Sequence, residues 1–338
     1  MPKSQRIIDN MQKRTNIPYK DLNMGAKIYK EPTLKNPVLL CGWPGIGNIG
    51  ITAIDTLKRA VEAEELGEIE PWDFFYPHKV VIENGLLKDL EFPKNKFYFK
   101  KLQKFDLIFF IADEQPADVK GGYASGKKAY EIANLVLDIG LKFGCQRVYT
   151  SGAAVAQIHH TTKPRVWAVP NSVELIDELR KYKNTVFMSG IEGRRGQGTI
   201  SGLNGLMLGI AKNRGLEAIC LMGEIPYYLQ WIPLPYSKAS QSVLEVLTQI
   251  FNITMDFNLF NQYVEKTEKS IEELISTFLQ SLPEHIRERV EAGIEDLKGK
   301  PAQLGPITDE EVKWFKEHGD KFLEDFFKKD DEENERTL

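Results

Sequence analysis

Short apolar runs alternate with longer amphipathic stretches along most of the chain. The runs at 38–42, 79–82, 107–112, 147–151, 166–169, 185–188 and 218–222 are rich in β-branched and aromatic residues and predict strands. Most lack a clean polar alternation, which is the pattern of strands buried on both faces in a parallel sheet. Helical spacing of apolar residues predicts helices over 48–65, 123–143, 173–181, 201–214 and 239–251. Strand alternating with helix predicts an α/β protein with a mostly parallel sheet covered on both sides. From about residue 258 only helical segments remain, at 262–282, 284–297 and 309–329, parted by Pro283 and by Gly-Lys-Pro and Gly-Pro turns. The polar start carries Pro18 and Pro32. The pattern therefore divides the chain into an N-terminal arm (1–36), an α/β core (37–260) and a helical extension (261–338).

Composition narrows the class without changing that picture. The chain has 338 residues, 42% hydrophobic and 27% charged, which excludes wholesale disorder and a fibre. No apolar run reaches the roughly 18 residues of a spanning helix, and the N-terminus lacks the apolar segment of a secretory signal. Cys41, Cys145 and Cys220 are far apart and odd in number, as expected of buried thiols in a reducing compartment. A cytoplasmic protein with no membrane contact follows as the expectation. Charge is uneven. From Glu265 onward 21 acidic and 12 basic residues give −9, while the remainder, with 27 acidic and 32 basic, carries +5. That body is too weakly and too diffusely basic to be a nucleic-acid surface.

Two glycine clusters are the main candidates for chemistry. After the first strand, Gly45-Ile46-Gly47-Asn48-Ile49-Gly50 fits the dinucleotide pattern at a helix N-terminus. Glu68 and Glu70 follow at the spacing of a ribose partner. The Walker pattern is half matched, but Ile51 stands where a phosphate-binding lysine belongs, so an NTPase loop is rejected. The plainer reading is a sharp turn with close helix–strand packing and no nucleotide. The second cluster, 190–209, places Gly202, Gly205 and Gly209 on one helix face, where close approach of another backbone would offset their cost of about 1 kcal/mol each. Arg194 and Arg195 beside it form either an anion site or a solvated loop.

Other residues carry less. His159 and His160 are adjacent and diverge, with no ligand partner at metal spacing. Ser151 lacks a nucleophile-elbow context. Glu114 and Gln115 follow a strand's carboxyl end, where α/β ligands bind. The segment IPYYLQWIPLPY after Glu224 is either an exposed partner surface or a cover for the sheet.

GWPGIGNIG, FFYPHKVVIENG, DLIFFIADEQP with Tyr123 beyond it, GRRGQGTISGLNGLMLGIA and GEIPYYLQWIPLPYSKAS, in that order, resemble the proteasome assembly chaperone 2 family across about residues 37–260. The resemblance implies a three-layer α/β/α sandwich of the phosphorylase/hydrolase-like kind, self-association, and protein binding rather than catalysis. Members also carry an ATP-grasp enzyme label, but paired magnesium carboxylates and a lysine-bearing loop are not recognisable here. Family members dock on the proteasome through a terminal hydrophobic–Tyr–any tail. This sequence reads Arg336-Thr337-Leu338 there, so docking by that route is not expected.

The expectation is a self-associating protein-binding module that assists assembly of a complex such as a proteasome. It would have no catalytic residues, no cofactor and no metal. The alternative is a small-molecule enzyme or sensor binding a nucleotide or carboxylate. Its pocket would comprise Gly45, Gly47, Asn48, Gly50, Glu114, Gln115, Arg194 and Arg195.

Overall fold

The computed structural model describes residues 25–116, 124–187 and 198–299. Its centre is a nine-stranded sheet. In chain order the strands are β1 (Ala26–Ile28), β2 (Val38–Gly42), β3 (Glu64–Ile69), β6 (Asn95–Lys100), β7 (Leu107–Ala112), β8 (Arg147–Ala156), β9 (Val166–Pro170), β10 (Thr185–Val186) and β11 (Glu217–Pro226). The spatial order is β1-β3-β6-β7-β2-β8-β11-β9-β10. A separate two-stranded ribbon joins β4 (Lys79–Glu83) to β5 (Leu86–Glu91).

The four middle strands, β7, β2, β8 and β11, run parallel, as the apolar runs predict. The flanks reverse direction: β6 pairs antiparallel with β7, β3 with β6, β1 with β3, and β9 with β11. Side chains alternate between two faces along each central strand. Leu39, Cys41, Ile108 and Phe110 enter one apolar cluster, and Leu40, Leu107 and Phe109 the other. Both faces are covered, so every second residue need not be polar.

Helices α1 (Ile49–Ala60) and α5 (Ser237–Phe251) pack on one face, while α2 (Gly126–Lys142) and α4 (Gly202–Asn213) pack on the other. A short α3 (Ile176–Leu179) extends a one-turn 3-10 segment where a longer helix was expected. Beyond α5, helix α6 (Asn258–Ser281) docks through Phe260, Val264 and Ile271 into the same cluster as α5, and α7 (Glu284–Glu295) follows. That face is thus two helices deep. The expected helix at 309–329, Tyr123 and Met188 lie outside the described residues.

Several expectations need correction. Helix α1 ends at Ala60, not 65, because Glu62 takes a left-handed φ of 52° and the chain reverses into β3. β1, β3, β5 and β6 have no counterpart in the apolar-run reading. β3 is EELGEI, an acidic edge-side strand whose Leu66 and Ile69 alone reach the core. The run at 79–82 is a strand, but of the ribbon. On the glycine face of α4 the close backbone approach is found at Gly205 and not at Gly209. A side chain at Gly205 would strike Ile200 of the chain's own preceding loop, and Gly209 faces open space.

Candidate functional site

The first glycine turn connects β2 to α1 at the carboxyl end of the parallel strands. Gly47 takes φ 57°, a left-handed conformation in which a side chain is strained, and Tyr236 Cβ and Ile225 Cδ1 lie 3.0 and 3.1 Å from where a Cβ would be. Gly50 is tighter still: a Cβ there would fall on the backbone carbonyl of Ser151 in β8, far inside contact distance. This glycine brings the first turn of α1 against the sheet. Asn48 also has a positive φ, and its N–H donates to the Gly45 carbonyl at 2.9 Å. Gly45 is extended and has nothing within 4 Å of a virtual Cβ.

Gln115 ties the two glycine clusters together. Its Nε2 donates to the Pro44 carbonyl at 2.6 Å, and its Oε1 accepts from the Leu203 N–H in the first turn of α4 at 3.1 Å. Between these elements lies a cavity of about 240 Å³. Its walls include Trp43, Gly45 and Gly50 from the first turn, Gly152–Val155 of β8, Trp167 and Met222 from neighbouring strands, and Ser201 and Asn204 at the start of α4. Trp43 is almost fully buried, and its indole N–H has no acceptor among the described residues. Asn204 Oδ1 likewise has no donor among them. None of the described wall residues is ionisable. The wall offers hydrogen bonds and apolar contact, but no side chain that exchanges a proton near neutral pH.

Of the residues singled out from the sequence, Gly45, Gly50 and Gln115 line this cavity. Gly47 is buried beneath the turn, where its carbonyl accepts from the Tyr236 N–H at 2.8 Å. Asn48 faces a different, wider groove of about 1090 Å³ between α1 and the start of α6, whose rim carries Asp55, Arg59 and Asp113. Glu114 turns away and meets His78 Nε2 at 2.7 Å. Arg194 and Arg195 lie outside the described residues. Glu68 and Glu70 do not reach the turn. β3 is separated from β2 by β6 and β7, and Glu70 pairs with Lys27 at 3.0 Å. The ribose-partner reading therefore fails on topology.

Sequence reasoning missed the buried acid beside the cavity. Glu224 is 1% exposed on β11, one pleat beyond Met222. Its carboxylate accepts from Arg165 Nη2 at 2.7 Å, from the Arg165 N–H at 2.9 Å and from Trp167 Nε1 at 2.9 Å. This network spends the carboxylate on holding β9 against β11 and seating the Trp167 wall.

The aromatic segment after Glu224 is mostly cover. Tyr228, Leu229 and Tyr236 are buried, while Trp231 and Pro233 are exposed. The His160 N–H donates to the Tyr228 hydroxyl at 2.9 Å. The His159 and His160 rings stack at 4.1 Å, and burial, then His159 and Lys238, hold His160 down at about 4. Burial pushes Cys145 and Cys220 up to about 12 and Cys41 well above its ordinary value. Among the described residues no three potential ligands gather as a metal site, and no helix is long and apolar enough to cross a membrane.

A family model described as PAC2 matches residues 39–275. The chain belongs to the PAC2 family. Among solved structures, PbaB of Pyrococcus furiosus, an archaeal proteasome activator, is 27% identical with a TM-score of 0.61, covering 74% of this chain and 97% of PbaB. PbaA of the same organism, an archaeal homologue of proteasome-assembly chaperone, is 21% identical with a TM-score of 0.54, covering 81% and 99%. A Methanocaldococcus jannaschii protein of uncharacterised role is 29% identical over 250 residues, 72% of this chain and 87% of that protein. PAC2 membership and these neighbours agree with the α/β scaffold described above. The ATP-grasp label finds no support among them.

Proposed function

We propose that this PAC2 chain is a self-associating protein-binding module that assists the assembly or activity of a protein complex of the proteasome kind. The observation that carries the reading is the match to PbaB, a proteasome activator, over nearly the whole of that protein. The sheet and both helical layers form the scaffold, and Gly50 sets α1 closely against β8. Affinity capture of the tagged chain from its native cell, with bound proteins identified, tests the proposal. Subunits of a proteasome or another large assembly should be enriched over an unrelated control. Recovery of small metabolites alone would overturn it.

A second reading rests on the Trp43 indole N–H, which has no acceptor among the described residues. A buried donor without an acceptor costs about 1–3 kcal/mol, and a small acceptor-bearing molecule in the cavity would remove that cost. Native mass spectrometry of the purified chain reads this directly: a retained small molecule supports it, and a bare chain mass counts against it.

A further inference from the structure

Between β3 and β6 the chain leaves the main sheet to build the β4–β5 ribbon. The ribbon is locally well specified. Asn84 and Gly85 both have positive φ, 53° and 78°, as a two-residue type I′ turn requires. A two-stranded ribbon is nevertheless marginal in water unless one face packs on something.

Its register shows which face. Val80 pairs with Leu90 and Val81 with Asp89, but Ile82 pairs with Leu87, so Lys88 is the extra residue of a bulge. Paired residues share a face. The bulge therefore puts Val80, Ile82, Leu87 and Leu90 together, where strict alternation would have split Leu87 from Leu90. None is covered: they are 58, 68, 68 and 38% exposed. Trp72 and Tyr76 stand largely exposed at the ribbon's foot.

We propose that this apolar face is where two copies of the chain associate, ribbon against ribbon across a two-fold axis. The proposal rests on the self-association reading above and states where it happens. Area supports it. Taking roughly 60–120 Å² of apolar surface per aliphatic side chain and roughly 150–250 Å² per aromatic, each scaled by its fractional exposure, the ribbon and its foot offer roughly 350–650 Å² per copy. Two copies together bracket the roughly 1,000 Å² of a specific interface. Charge supports it too. Each end of the ribbon carries one acid and one base already paired, Lys79 with Glu91 at 3.5 Å and Lys88 with Glu83 at 2.5 Å. With Asp89 the ribbon carries three acids against two bases, a near balance that recruits no strongly single-signed partner and suits an identical rim turned through a two-fold.

The test uses the full chain at micromolar concentration, with light scattering after size exclusion. The parent should have at least twice the 38.6 kDa chain mass. The double variant Ile82→Lys/Leu87→Lys should return to the chain mass with an unchanged circular dichroism spectrum. Leu259→Lys, a substitution at an equally exposed apolar residue far along the chain, should leave the parent's mass. Ile82→Cys gives a second measurement, because the three native thiols are buried. Mild oxidation should yield a covalent dimer. A double variant with the parent's mass, or no cross-link from Ile82→Cys, overturns the ribbon contact and leaves self-association standing. A monomeric parent overturns both. Captured foreign proteins lost on Ile82→Lys/Leu87→Lys from a monomeric parent would assign the ribbon to another partner and also overturn the proposal.

Discussion

Gly50 lies so close to the Ser151 carbonyl that no side chain fits, whereas Ile82 on the ribbon stands 68% exposed. The two regions are close in sequence and opposite in construction. The turn has the spacing of a ligand motif, and two of its glycines meet close neighbours, Gly50 on β8 and Gly47 on Tyr236. The ribbon carries no recognised motif, yet it presents the apolar surface that the folded chain leaves unused. The lesson is that a glycine pattern reports close backbone approach first, and a ligand only if the geometry leaves room for one.

Substitutions can break this contrast. The largest effect is expected at Glu224→Ala, which leaves the partly buried Arg165 guanidinium and the buried Trp167 N–H without their shared carboxylate. A loss of about 3–5 kcal/mol in urea unfolding is expected. A loss below about 1 kcal/mol would mean that the crevice wall is less rigid than its packing implies. Next is Gly50→Val. Its Cβ meets backbone rather than a movable side chain, so α1 must shift, at about 3 kcal/mol. Gly45→Ala, in the same motif, meets nothing and should change stability by less than about 0.5 kcal/mol. Equal losses at Gly45 and Gly50 would show that the turn is held by something other than close approach.

The histidine pair tests the crevice cover by pH. His160 is held at about 4 when folded and titrates near 6.5 when unfolded. Between those values the unfolded chain binds more protons, so this contribution to stability is whole above pH 6.5 and declines as pH falls toward 4. Thermal melting should show that decline, and His160→Gln should lessen it. The smallest effect belongs to the ribbon. Leu86→Ser, at a residue 73% exposed, should alter chain stability by no more than about 0.5 kcal/mol at a concentration where the chain is dissociated. A larger loss would mean that the ribbon is bound to its own chain after all.

How far the sequence was legible follows the same division. VLLCG, LIFFIA and AICLM are apolar on both faces and identify the parallel centre, because only central strands bury both sides. The flanking strands were hidden. In NKFYFK the alternation of Phe97 and Phe99 with polar neighbours was the available signal for β6, and in EELGEI charge masks the two core residues of β3. Asn84-Gly85 between two apolar runs was the overlooked hairpin signal. In the site, Gln115 was legible from its place after β7, but its bridging of two loops distant in sequence was not. Nor was the pairing of Glu224 with Arg165, since only the β9–β11 register brings them together.

The parallel centre also shapes how the chain reaches its fold. β2 pairs with β7 and β8, and β8 with β11, through contacts about 70 to 110 residues apart in sequence. Each closes a long loop before any ladder forms, so high contact order makes these steps slow relative to local ones such as β6–β7. During synthesis β8 has no partner on one side until β11 has emerged, and α5 joins α1 on its sheet face only after that. The nascent chain therefore carries an open apolar sheet edge until Pro226 has been made, a stretch in which pairing with other chains competes with folding.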